Sequence, residues 1–223
     1  MANADLRHLA IIPDGNRRWS IGHGVSLERT YFNSCAKMLD ICKFLETIAT
    51  LREVSLFFVS LENLLSRTRD ELDPLFSAGH HFLDMFYESS LCEAVDLRWV
   101  GMHEDGSKVD SDLYRGLVHR VSQLNPICSG SRRLNVVMGY DVRRDIETTI
   151  LQNGSFSYEY LTVNRPVDLI VRSGGRQRLS GFLPLMCQYS EFDFIEELFP
   201  DVTLRHITDS IRRFRASNRR FGS

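Results

Sequence analysis

Five short runs of the chain are almost unbroken in apolar residues: His8 to Pro13, Val54 to Val59, Leu97 to Gly101, Leu134 to Met138 and Val167 to Arg172. Their length and lack of alternation suit strands buried on both faces. Between them the period changes. Tyr31, Cys35, Met38, Leu39, Cys42 and Leu45 recur at helical spacing, as do Leu75, Phe76, Phe82, Leu83, Phe86 and Tyr87. Such spacing gathers each set on one helical face. Strands alternating with helices predict an α/β fold whose central sheet is mostly parallel and flanked by helices. Neither an internal repeat nor a low-complexity linker interrupts the pattern, so residues 1–223 read as a single domain.

In folds of this kind, ligands collect where strands end and the following helices begin. Three strand ends here run into polar clusters: Pro13-Asp14-Gly15-Asn16-Arg17-Arg18, Ser60-Leu61-Glu62-Asn63 and Arg172-Ser173-Gly174-Gly175. In the first, Gly15 allows a tight turn into a helix predicted to start near Asn16, whose free N–H groups face the turn. Arg17 and Arg18 add positive charge there, and a diphosphate is the natural occupant. Asp14 would repel that anion unless a cation such as Mg²⁺ stood between them; it also suits a plain helix N-cap. In the third cluster, Arg172, Arg178 and Ser180 surround two glycines, a set able to bind phosphate through forked hydrogen bonds. The G-x-x-x-x-G-K spacing of a Walker loop is absent from it.

Composition narrows the classes. With 43% hydrophobic and 25% charged residues the chain can bury a full core and does not read as disordered. A net charge of −2 and a pI near 6.4 argue against nucleic acid, which favours a strongly positive field. The arginines are instead clustered, at 132–133, 143–144, 172–178 and 212–220, which suits small anionic ligands. Five cysteines, an odd number without C-x-x-C spacing, fit buried free thiols better than a disulfide framework or a zinc site. The start, MANADLRHLAII, lacks signal-peptide character and no stretch is long and apolar enough to span a membrane, so a cytoplasmic location is expected. Asn153-Gly154-Ser155 reads as turn chemistry. His23, His103, His119 and His206 have no partner at ligand spacing, and His80 and His81 do not share a helical face. Trp99 reads as core.

HLAIIPDGNRRW resembles the first signature of the cis-prenyltransferases, the undecaprenyl diphosphate synthase family, typically H-x-A-I-I-M-D-G-N-x-R-W. VDLIVRSGGRQRLSGFLPLMCQYSEFDFIEELFPD resembles their second long signature, Ser60-Leu61-Glu62-Asn63 their S-x-E-N, and Arg219-Arg220-Phe221-Gly222 their C-terminal R-R-F-G. The resemblance implies the cis-prenyltransferase fold, with an apolar tunnel or pocket, and a Mg²⁺-dependent transferase of isoprenyl diphosphates. By the same resemblance Asp14 holds Mg²⁺, with Glu191 as the second metal-associated carboxylate. Gly15, Asn16, Arg17, Arg18, Trp19 and Arg67 bind the allylic diphosphate. Asn63, with Ser60, assists proton removal. Arg172, Arg178 and Ser180 hold the partner diphosphate, and Arg220 and Gly222 reach a neighbouring subunit's site, implying a homodimer. Replacing Asp14 by alanine is then expected to abolish turnover with the fold intact.

The departures fall in both substrate sites. Where the family has an arginine and a Gly-His pair, this chain has Leu27 and Thr30-Tyr31, with Arg29 nearby; Leu64 replaces a tryptophan, the Arg67 loop is one residue longer, and Arg176-Gln177 replaces Glu-His. Phe58 stands where long-chain members have a small tunnel residue, and His80 to Tyr87 is bulky, as tunnel lining or as core. GVSLE and FLPLM resemble the short-chain branch making lavandulyl or cyclolavandulyl diphosphates, which condenses two dimethylallyl diphosphates head to middle. Regular cis-1′-4 coupling with isopentenyl diphosphate to a short product is the alternative; a non-catalytic subunit of a heteromeric prenyltransferase is the third, and Asp14, Asn63 and the arginines speak against it.

Overall fold

A computed structural model describes residues 5–101, 111–128 and 130–217. The chain runs β1 (His8–Ile12), α1 (Asn16–His23), α2 (Leu27–Glu46), β2 (Glu53–Ser60), α3 (Leu61–Ser66), α4 (Arg69–Tyr87), α5 (Leu91–Ala94), β3 (Val95–Gly101), α6 (Asp112–Leu124), β4 (Arg132–Tyr140), α7 (Val142–Asn153), β5 (Leu169–Arg172), β6 (Glu191–Phe194) and α8 (Leu204–Ala216). The six strands form one sheet in the order β3-β4-β2-β1-β5-β6, and every ladder is parallel. All five expected strands are present. The sixth, β6, escaped because Glu-Phe-Asp-Phe is short, charged and only partly buried.

Residues from α2, α4, α6 and α8 build the larger apolar cluster on one face of the sheet. Ala10, Ile12, Phe57 and Val137 face the other side, against the irregular segment that carries Leu161, Val163, Phe182 and Leu183. Burial on both faces explains why the central strands are unbroken apolar runs. Trp99 is core, as expected. The five cysteines are buried free thiols, and the Cys92 and Cys128 sulfurs meet at 2.6 Å.

Phe58 of β2 meets Phe82 of α4 edge to face, and Phe82 stacks on Phe86. At the N-terminal end of β2 and β4 lies a cavity of about 30 Å³, lined by Cys42, Leu45, Leu51, Val54, Leu91 and Leu134 among others. That is room for roughly one water. Among the described residues, no helix is long and apolar enough to cross a membrane.

The sheet register positions the site. Ile12 pairs with Arg172, so β1 and β5 end level and their following turns face each other.

Candidate active site

The turn after β1 is built to expose a helix N-terminus. Gly15 adopts φ +107°, a conformation few side chains tolerate, and a Cβ there would stand 2.8 Å from Leu198. It offers no side-chain cap, and the first intrahelical bond of α1 runs from Trp19 N–H to the Gly15 carbonyl. The N–H groups of Asn16, Arg17 and Arg18 therefore precede the helical ladder and leave the positive dipole end open. The Asn16 side chain is buried and occupied. Its Nδ2 donates to the Pro13 carbonyl and its Oδ1 accepts from Ser34 Oγ at 2.6 Å, tying the turn to α2.

The first and third polar clusters form one site. Arg172 is 3% exposed, and its Nη2 donates to Asp14 Oδ2 at 2.6 Å. Its Nη1 donates to Ser180 Oγ at 3.0 Å and to the Arg178 carbonyl, and its buried Nε has no partner among the described residues. Arg18 Nη2 donates to the Gly174 carbonyl at 2.9 Å and stands 3.6 Å from Asp14 Oδ1. Ser173 Oγ donates to the Asp14 carbonyl. Gly174 adopts φ +82°, and a Cβ there would stand 3.1 Å from the Asp14 carbonyl oxygen, so the turn favours glycine. The Arg178 side chain is exposed at the rim.

A second cationic group borders the turn. Arg17 pairs with Glu71 of α4. Glu71 also accepts from the Thr68 N–H in a capping box, the T-x-x-E pattern of a helix start. Burial works to raise the Glu71 carboxyl, but the Thr68 N–H, Arg17 and Arg67 together hold it below the ordinary range. Burial presses the Arg67 guanidinium down, with Tyr31, Glu71 and Asp14 opposing and Arg17 reinforcing. Tyr31 is buried, which pushes its hydroxyl up, with Arg67 and Arg17 working the other way. Arg67 is thus brought to the site, and Tyr31 with it. Arg29 is exposed on α2.

Other expected residues are placed differently. Ser60 caps α3, its Oγ accepting from the Asn63 N–H at 3.1 Å. Trp19 donates from Nε1 to Asp201 at 2.9 Å and stacks on His23, so its ring fastens α1 to the 3-10 turn Phe199–Asp201. Glu191 opens β6 opposite Leu169, whereas Asp14 lies beyond the level of Arg172. Those three residues of strand span roughly 10 Å. Within one chain Glu191 is not assembled with Asp14, and among the described residues no three His, Cys, Asp or Glu side chains form a metal cluster. Arg220 and Gly222 lie outside the described residues. Glu71, Ser34 and Asp201 were not foreseen; only Glu71 carried a readable signal, and that signal was a helix start.

The family model of undecaprenyl diphosphate synthases, the prenyltransferases, matches residues 12–222. The chain belongs to this prenyltransferase family. An isoprenyl transferase of Campylobacter jejuni (strain RM1221) is 33% identical across 98% of this chain and 99% of its own length. A tritrans,polycis-undecaprenyl-diphosphate synthase (GGDP specific) of Sulfolobus acidocaldarius is 29% identical across 97% of this chain and 87% of that protein. In three dimensions this prenyltransferase resembles lavandulyl diphosphate synthase from Lavandula x intermedia, solved with dimethylallyl diphosphate. That match has a TM-score of 0.80 at 21% identity and covers 98% of this chain and 99% of that one, a likeness of fold. A Campylobacter jejuni structure described as a probable undecaprenyl diphosphate synthase superposes with a TM-score of 0.75 at 28% identity, covering 99% of this chain and 100% of that one.

Proposed function

We propose that this prenyltransferase joins isoprenyl diphosphates to a short-chain prenyl diphosphate by irregular, head-to-middle coupling of dimethylallyl diphosphate. The observation that carries a short product is the aromatic contact of Phe58, Phe82 and Phe86, three large rings packed together between β2 and α4. The irregular mode rests on the altered first site, where Tyr31 lies against Arg67, and on the GVSLE and FLPLM segments.

In this reading the open N-terminus of α1, with Arg17, Arg18 and Arg67, receives the allylic diphosphate. Ionisation of the allylic carbon–oxygen bond places negative charge on that leaving group, and fixed cations and N–H dipoles stabilise it. Asp14 offers oxygen donors beside this anion seat, a set suited to Mg²⁺, which takes one or two carboxylates and otherwise uses phosphate and water. When bound, Mg²⁺ would neutralise charge on the departing diphosphate. Arg172, Arg178 and Ser180 serve the second diphosphate, and the Asn63 amide assists proton removal. A cytoplasmic homodimer completes the proposal, with Glu191, Arg220 and Gly222 acting across subunits.

Regular coupling to isopentenyl diphosphate is the second reading, favoured by full-length likeness to the undecaprenyl-type synthases. Incubating the protein with Mg²⁺ and dimethylallyl diphosphate, with and without isopentenyl diphosphate, separates the two. A branched or cyclic C10 alcohol from dimethylallyl diphosphate alone, after dephosphorylation, supports irregular coupling. A linear product requiring isopentenyl diphosphate replaces it with the regular mode.

A further inference from the structure

Cys92 and Cys128 are 36 residues apart in the chain, on the segments that lead into the edge strand β3 and its neighbour β4. Val95 pairs with Arg132 in the first rung of that ladder. Closer to the cysteines, a Cβ at Gly130 would stand 2.0 Å from the Ala94 carbonyl carbon, so only glycine lets the two backbones approach so closely. One step further out, the Cys92 and Cys128 sulfurs meet at 2.6 Å. Bonds to the rest of the fold hold both segments in place. The Cys128 N–H donates to the Leu124 carbonyl at 2.8 Å and the Cys92 N–H to the Ser89 carbonyl at 3.3 Å. Asn125, at the end of α6, donates from Nδ2 to the Leu97 carbonyl of β3 at 2.6 Å. The backbone itself therefore sets the two thiols against each other. They lie at the N-terminal end of the parallel sheet, whereas Asp14 and Arg172 lie at its C-terminal end.

We propose that Cys92 and Cys128 form an oxidative modification site: a small-molecule disulfide converts the two thiols into an intramolecular disulfide that ties α5 to the segment before β4. Each cysteine gives up one proton and one electron, a sulfur–sulfur bond forms between them, and the incoming disulfide is reduced to two thiols. Exchange starts at Cys92, which is 5% exposed where Cys128 is 0%; Cys128 then displaces the reagent's remaining thiol. Closing the contact to the about 2.0 Å of a disulfide takes only a small side-chain movement. Burial, with Cys92 alongside, pushes the Cys128 thiol up to about 12, so the exchange is slow at neutral pH. The other three cysteines stay thiols: Cys35 and Cys42 stand on α2, and Cys187 packs on the opposite face of the sheet. Closing a loop of this length constrains the unfolded chain, so the oxidised protein is the more stable form.

The test uses the full chain, reduced with dithiothreitol, freed of it, and incubated for hours with excess oxidised glutathione in mildly alkaline buffer. The remaining thiols are alkylated after denaturation and counted by intact mass. Two of the five thiols are expected to disappear, and peptide mapping finds the segment around Cys92 joined to the segment around Cys128. Thermal melting of the oxidised protein shows Tm raised by about 5–10 °C, and dithiothreitol reverses the shift. Cys92→Ser and Cys128→Ala each abolish both the crosslink and the shift. Cys42→Ser, at a thiol lining the small cavity that Leu91 also lines, changes neither. The mass reading on the unaltered chain stands by itself where a variant folds poorly. Five alkylated thiols after oxidation, a bond to any other cysteine, or a glutathione adduct in place of the crosslink overturns the proposal. A crosslinked protein whose Tm is unchanged or lower overturns it as well.

Discussion

Arg172, at the end of β5, holds Asp14, beyond the end of the adjacent β1, through a bond of 2.6 Å from Nη2 to Oδ2. The arginine side chain is 4% exposed and the aspartate 28%. Asp14 therefore compensates a buried cation, and in the proposed site it also presents oxygen to the anion seat. Asp14→Ala is expected to cut turnover by at least about a hundredfold, the scale of losing one electrostatic contact to a transition state. It also destabilises the fold by about 1–3 kcal/mol, below the value for a fully buried pair because the carboxylate is partly solvated. Asp14→Asn keeps an acceptor for Arg172 and recovers most of the stability while remaining inactive. Product assays beside thermal melts check both. An Asp14→Ala protein melting like the unaltered chain would show that the pair does not hold the turn.

Gly15 is the second point where geometry dictates the residue. Its φ of +107° and the 2.8 Å approach of Leu198 leave no place for a Cβ. Gly15→Ala combines backbone strain of about 1–2 kcal/mol with that clash. A fall in Tm of about 2–4 °C per kcal/mol follows for a chain of this size. Because the same turn aims the α1 N–H groups, pyrophosphate affinity falls too. Retained affinity in a destabilised variant would detach the anion seat from this helix end.

The parts of this site legible in the sequence are those whose chemistry differs from what their surroundings need. A carboxylate among arginines at Asp14, and arginines beside paired glycines at Arg172, serve no core, so strand-end position alone brought them forward. Asn16, Ser60 and Trp19 carry local bonds that no sequence motif announces. Their polar groups are absorbed by the Pro13 carbonyl and Ser34, by the Asn63 N–H, and by Asp201 respectively, and only coordinates reveal such local spending. Glu71 carried a capping signal that concealed its second partner, Arg17. The sheet was readable where both faces are apolar. β6 was not, since its residues are only partly buried at the edge of the sheet.

A buried histidine gives the fold an acid limit. His8 is fully buried in β1, with Nε2 2.8 Å from Ser55 Oγ and Nδ1 3.0 Å from the Arg165 carbonyl. Burial presses its pKa below the ordinary value near 6.5, although Glu53, the Arg165 carbonyl and Asp168 oppose this. Below pH 6.5 the unfolded chain binds a proton that the folded chain refuses, so stability falls as pH drops through that window. Its slope is at most about 1.4 kcal/mol per pH unit for this one group. Urea unfolding from pH 7.5 downwards measures it, and His8→Asn flattens the slope whatever its effect on absolute stability. An unchanged slope in His8→Asn would assign the acid loss to other groups.

Product length is the prediction closest to function. Phe58 meets Phe82 at a centroid distance of 5.9 Å, and Phe82 meets Phe86 at 6.3 Å. Phe58 is only partly buried, while Phe82 and Phe86 are fully enclosed. Phe58→Ala is therefore the variant to make first: it removes ring volume at less than the about 3–5 kcal/mol of a core Phe→Ala change. The space opened lies within the same apolar cluster that holds the small cavity lined by Leu45, Leu51 and Leu134. With allylic diphosphate and isopentenyl diphosphate both supplied, Phe58→Ala shifts the products toward longer chains by one or more five-carbon units, read by mass spectrometry after dephosphorylation. Phe82→Leu, a milder trim of the enclosed ring, shifts them in the same direction. Unchanged product length in both folded variants would remove the aromatic contact as the limit and place the restriction at the first site, where Tyr31 and Arg67 stand.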